Sequence, residues 1–133
     1  MIYLDSSVAL AHLLAEDRRP PESLWDESLV SSRLLEYELW TPIHSRGLAG
    51  SHGEAVRLLI GRVSMLELAP SVLAGALGPF PGPSPLRTLD ALHLASCAYL
   101  LDHGQPVELA CYDRRMTAVA RAMEIPLFDL EEA

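Results

Sequence analysis

Leu86–Leu101, LRTLDALHLASCAYLL, is the stretch on which the reading of this chain turns. At about 3.6 residues per turn it makes roughly four turns of helix, and only Arg87, Thr88, Asp90, His93 and Ser96 interrupt its apolar and small residues. A helix apolar on every face is expected to be covered on every face. Asp90 therefore stands where an uncompensated carboxylate would cost several kcal/mol, most of the stability of a small domain. A cation, a set of hydrogen-bond donors or a metal is needed beside it.

The segments on either side are short apolar strands alternating with helices. Ile2–Leu4 runs into Asp5, and Ser6 or Ser7 is the expected cap of a helix over Val8–Glu16. Ser28–Ser31 reads as a second strand, after which a helix spans Arg33–Arg46 with Pro42 expected to kink it. Gly47–Gly53 reads as a loop, Glu54–Ser64 as an amphipathic helix and Met65–Leu68 as a strand. Ser71–Leu77 is a short helix, and Gly78–Pro85 is too rich in Pro and Gly for regular structure. After the apolar helix, Val107–Cys111 is a strand delivering Tyr112 and Asp113, Arg114–Met123 is a helix, and Leu127–Phe128 is a last short strand. This alternation predicts an α/β fold, a three-layer α/β/α arrangement around a short-stranded parallel sheet. Residues 1–133 are expected to form one domain. In such folds ligands sit beyond the carboxyl ends of the strands. Asp5 and Asp113 each occupy such an end.

Composition narrows the chemistry. The net charge is −8, against a general nucleic-acid binder. All 10 basic residues are arginine, which excludes any mechanism needing lysine, including the aspartyl-phosphate chemistry of receiver domains and haloacid-dehalogenase-like phosphatases. There is no HExxH, GxSxG, GxxxxGK[ST] or GxGxxG pattern. Cys97 and Cys111 lack metal or disulfide spacing and read as reduced core thiols. No apolar run reaches the ~20 residues of a membrane span, and MIYLD carries no basic region ahead of an apolar one. A cytoplasmic protein is expected.

Asp5, Asp90 and Asp113, with Glu36 or Glu38 from the helix after the second strand, thus have a claim on one place. Crowded acids repel without a cation, and oxygen ligands of this kind suit Mg²⁺ or Mn²⁺. His93, three residues after Asp90, reads as a buried histidine bonded to a neighbour rather than a ligand.

The stretches IYLDSSVALAHLL, SSRLLEYEL, LRTLDALHLASC and CYDRRMTAVARAMEIPLF, in this order and spacing, resemble the PIN domain, specifically the toxin ribonucleases of VapBC-type toxin–antitoxin pairs. The resemblance implies that Asp5, Glu38, Asp90 and Asp113 are the catalytic, metal-binding acids, with the second glutamate of SSRLLEYEL preferred. It implies an Mg²⁺- or Mn²⁺-dependent endoribonuclease acting as a toxin, with arginines such as Arg87, Arg114 and Arg115 taking RNA phosphates. A PIN-fold binding module with little turnover is the alternative. The implied partners are RNA, a VapB-like antitoxin whose C-terminal tail blocks the site, and a second copy in a homodimer, with no membrane. Cys111 stands where the family often has Thr or Ser, which removes an expected hydroxyl contact.

Overall fold

The computed structural model describes residues 1–82 and 85–131. The elements in chain order are β1 (Ile2–Leu4), α1 (Ser6–Leu13), a 3₁₀ turn at Glu22–Asp26, β2 (Leu29–Ser32), α2 (Leu34–Ser45) and α3 (Ala49–Gly61). They continue with β3 (Val63–Leu66), α4 (Pro70–Leu73), a 3₁₀ turn at Ala74–Ala76, α5 (Thr88–Asp102), β4 (Glu108–Ala110) and α6 (Arg114–Ala122). The four strands are parallel, in the order β3-β2-β1-β4. Leu127 adds a parallel bridge to Leu109 beyond β4, which is all that forms of the expected last strand.

Alternation along β1 builds the layers, because successive strand residues face opposite sides. Ile2 and Leu4 join a core with Val8, Leu35, Leu39, Ile43, Val56 and Leu59, supplied by α1, α2 and α3. Tyr3 faces the other way, into a core with Val30, Leu94, Cys97, Leu109, Met116 and Val119, supplied by α5 and α6. A strand buried on both faces needs apolar residues throughout, and all three residues of β1 are fully buried. The expected three-layer α/β/α fold is the one observed.

Several boundaries differ from the sequence expectation. Helix α1 begins at Ser6 and is capped by Asp5, whose side chain accepts from the Ser7 N–H, so neither serine is the cap. Helix α2 continues through Pro42 to Ser45; the proline forfeits only the bond its N–H would give to the Glu38 carbonyl. Helix α3 starts at Ala49, inside the expected loop, and takes in Gly50 and Gly53. Packing of Ala49 and Val56 into the core outweighs the cost of two helical glycines. Val63 and Ser64 belong to β3, paired with Leu29 and Val30, rather than to the helix.

The most consequential correction concerns α5. Only His93–Cys97 are buried, whereas Leu89 is 45% exposed and Asp90 is half-buried. The helix is fully buried only in its middle and partly covered on either side of it. Gly104, at φ +81°, ends it, with Gly104 and Gln105 N–H groups closing on the Leu101 and Leu100 carbonyls. Among the described residues, no helix is long and apolar enough to cross a membrane.

Candidate active site

The site forms where β1 and β4 end side by side. The Asp5 N–H donates to the Ala110 carbonyl at 3.0 Å, so the chain that leaves β1 is tied to the end of β4 three residues before Asp113. Asp5 is almost fully buried. Its Oδ2 accepts from the Ser7 N–H at 3.1 Å, the Ser7 hydroxyl at 2.6 Å and the Cys111 thiol at 3.4 Å. Asp113 caps α6, its Oδ1 accepting from the N–H groups of Arg115 at 2.9 Å and Met116 at 3.2 Å. These bonds leave Asp5 Oδ1 and Asp113 Oδ2 without donors among the described residues.

Asp90 lies in the first turn of α5. All three aspartates thus stand at helix N-termini, where the aligned peptide dipoles favour negative charge. That answers part of the electrostatic demand of Asp90 but not all of it. Its carboxyl is held above the ordinary carboxylate range by partial burial first, then by the charges of Asp5, Asp113 and Glu38, with His93 opposing. Asp90 accepts no hydrogen bond from the described residues. Asp90 thus feels the charges of Asp5, Asp113 and Glu38.

Glu38 comes in from α2. Its Oε2 accepts from the Ser6 hydroxyl at 3.3 Å, and its Oε1 meets His93 Nε2. The other ring nitrogen, Nδ1, lies 2.7 Å from the Tyr3 hydroxyl, which also accepts from the Ser32 N–H at 3.1 Å. With Nε2 donating to Glu38, a neutral ring accepts the Tyr3 proton at Nδ1, and a protonated ring donates from both nitrogens. Burial lowers the proton affinity of His93, but the bond to Glu38 and the charges of Glu38, Asp5 and Asp90 more than offset it, and the net shift is upward. His93 is a bonded core histidine that orients Glu38, in line with the sequence reading. Glu36 instead pairs with Arg33 at 2.5 Å, and Arg33 also holds Glu67 at 2.5 Å.

No arginine forms an ion pair with Asp5, Glu38, Asp90 or Asp113 among the described residues. Arg87, Arg114 and Arg115 instead line, with Pro85, Asp90 and Asp113, a cavity of about 230 Å³ that Asp5 and Glu38 do not line. Among the described residues, no group of three or more His, Cys, Asp or Glu side chains is placed to hold a metal ion. The donor set itself is all-oxygen and anionic, the kind that suits a hard divalent cation.

Sequence reasoning missed the supporting contacts. Ser7, read as a cap, orients Asp5, and Tyr3, read as a plain strand residue, holds His93. The period-two alternation of β1 puts Tyr3 on the α5 side, but its pairing with a residue 90 positions away needed the topology. Position 111 keeps a contact to the site through sulfur, and Ser7 supplies the hydroxyl contact expected there.

Both cysteines are buried, and burial pushes the Cys97 thiol up to about 12 and the Cys111 thiol up as well, with the Asp5 charge adding to the latter. Only a thiolate attacks a disulfide reagent. A chromogenic disulfide reagent at neutral pH is expected to label neither cysteine of the native protein and both after unfolding. Rapid native labelling of Cys111 would contradict its position against Asp5.

The PIN domain family model matches residues 2–122. The chain is 29% identical over 128 residues to ribonuclease VapC47 of Mycobacterium tuberculosis (strain CDC 1551 / Oshkosh), covering 91% of this chain and 90% of that protein. It is likewise 29% identical over 130 residues to ribonuclease VapC35 of the same strain, covering 94% and 93%. With strand-end acids gathered on a four-stranded parallel sheet and a family model spanning nearly the whole chain, this protein belongs to the PIN-domain family.

Proposed function

We propose that this chain is a metal-dependent endoribonuclease, the toxin of a toxin–antitoxin pair. The observation that carries the reading is that Asp5 and Asp113 stand at the joined ends of β1 and β4, with Asp90 beside Asp113 in one cavity and none of the three ion-paired among the described residues. Relatives named as VapC ribonucleases along nearly their full length support the substrate class.

Mg²⁺ or Mn²⁺ bound there supplies a counter-charge for the phosphodiester and a water that ionises more easily than bulk water. The donor-free oxygens, Asp5 Oδ1 and Asp113 Oδ2, and the unbonded Asp90 carboxylate would hold the ion, with Glu38 completing the set. Ser7 and Cys111 keep Asp5 in one rotamer, and Ser6 and His93 do the same for Glu38. Such outer contacts tune a metal site as much as the ligands do. Arg87, Arg114 and Arg115 at the rim take phosphate oxygens and admit a polyanion to a chain of net charge −8.

The reading extends to partners. A basic side chain from a VapB-like antitoxin tail would enter the acidic site in place of the metal. A groove of about 380 Å³ between α1 and α3, lined by His12, Leu13, Trp25, Leu58 and Leu59, suits an apolar helix of that partner. The α2 face carrying Tyr37, 67% exposed, and Trp40 suits a second copy. The alternative is a PIN-fold binding module with little turnover, and the Ser7 hydroxyl bonded to Asp5 supports the catalytic reading over it.

The test is cleavage of end-labelled single-stranded RNA by the purified chain. Cleavage is expected with Mg²⁺ or Mn²⁺, to stop in chelator and to return when metal is restored. Undiminished cleavage in chelator would refute the metal-dependent reading.

A further inference from the structure

We propose that the pocket lined by Tyr112 is a second phosphate site, which holds the RNA backbone next to the phosphate being cleaved. This rests on the ribonuclease reading above. The pocket has a volume of about 330 Å³, and Arg18, Arg114 and Arg121 line it together with Asp129 and Glu131. None of these three guanidiniums forms an ion pair among the described residues, even with two acids on the same wall and a net charge of −8 on the chain.

A second observation points to a ligand. Tyr112 is 9% exposed and lines the pocket, and its hydroxyl is buried without a hydrogen-bond partner among the described residues. Burying a hydroxyl unpaired costs stability, so the phenol is a donor waiting for an acceptor. Arg18 braces the ring, with its guanidinium carbon 4.6 Å from the ring centre and Nη1 donating to the Tyr112 carbonyl at 3.4 Å. A tetrahedral phosphate diester offers two anionic oxygens, enough for the phenol and one or two guanidiniums at once.

Continuity with the acid site selects RNA over an acidic peptide. Arg114 lines both this pocket and the cavity over Asp90 and Asp113. Tyr112 and Asp113 are neighbours about 3.8 Å apart along the chain, and Tyr112 lines this pocket while Asp113 lines the other. A strand held at Asp113 thus passes over Arg114 into the Tyr112 pocket. One polyanion with regularly spaced phosphates satisfies both sites.

The experiment is fluorescence anisotropy of a labelled single-stranded RNA against the full chain in chelator, where binding is read without cleavage. Tyr112→Phe and Arg121→Gln are each expected to weaken binding about fivefold to tenfold, and Arg121→Gln to reduce the salt slope by about one. Because Tyr112→Phe removes an unpaired buried hydroxyl, its melting temperature is expected to equal or exceed that of the wild type, which separates lost binding from lost folding. Wild-type affinity in both variants, in a chain that still cleaves RNA with metal, would overturn this site and leave the ribonuclease reading intact. Weakened binding in a chain that cleaves no RNA with any divalent metal would uphold the site and overturn that reading. Loss of poly-glutamate binding with RNA binding unchanged would assign the pocket to an acidic protein partner, against the proposal.

Discussion

Asp90→Asn is expected to lower RNA cleavage by about a hundredfold or more, because even outer-shell partners of a metal site are worth 10–100-fold, and in chelator to raise the melting temperature. The two effects have one cause. Partial burial and the charges of Asp5, Asp113 and Glu38 hold the Asp90 carboxyl above its ordinary value in the folded protein. The folded state therefore binds that proton more tightly than the unfolded chain does, and the ionised group costs stability. The cost is fully present above the folded value and disappears as pH falls below the unfolded one. Asparagine removes the charge and keeps the shape. It also loses an attraction to the α5 N-terminus of about 0.3–1 kcal/mol, which partial burial and the charges of Asp5, Asp113 and Glu38 oppose. The gain of Asp90→Asn over wild type is thus expected at neutral pH and should shrink on acidification through the carboxylate range. Calorimetry in chelator checks it; an Asp90→Asn protein melting well below wild type would make the carboxylate a structural partner. Asparagine is also the informative change at Asp5 and Asp113. Alanine there would strip a helix cap worth about 1 kcal/mol along with the charge.

The second large effect separates two glutamates on one helix. Glu38→Gln is expected to reduce cleavage about tenfold to a hundredfold, since Glu38 faces the acids and is held there by Ser6 and His93. Glu36→Gln should leave cleavage within about twofold, because its partner Arg33 is an exposed residue whose pairs are worth ~0–1 kcal/mol and which keeps Glu67. Initial rates on the same RNA decide it. Equal losses, or a loss confined to Glu36→Gln, would overturn the assignment of Glu38.

The strand-end acids were legible in the sequence because short, largely apolar strands between helices are buried in a parallel sheet, and an acid just past such a strand emerges at the sheet's carboxyl edge. The preference for Glu38 over Glu36 came from the motif that SSRLLEYEL resembles, helped by its place three residues beyond Leu35. The exposure of Leu89 was not legible. Composition shows that a helix tolerates burial all round, not which turns other elements cover, and the first turn of α5 is not fully covered. The α3 start was hidden because Gly50 and Gly53 look like loop, and only contact with α2 makes them helix. Tyr3, His93 and Glu38 are far apart in the chain, so their hydrogen-bonded row existed only once the layers were assembled. An aspartate just past a strand is often a helix cap, and Asp5 and Asp113 both are, although Ser6 or Ser7 was the expected cap of α1.

The central claim is that these acids hold a divalent ion, and anomalous diffraction from crystals of the wild-type chain soaked in Mn²⁺ tests it most directly. The expected result is a manganese peak ligated by Asp5, Asp90 and Asp113, with Glu38 beside it, that is absent from Asp90→Asn crystals treated alike. A wild-type crystal with no peak among these four carboxylates, from protein that cleaves RNA in the same Mn²⁺ buffer, would contradict the account.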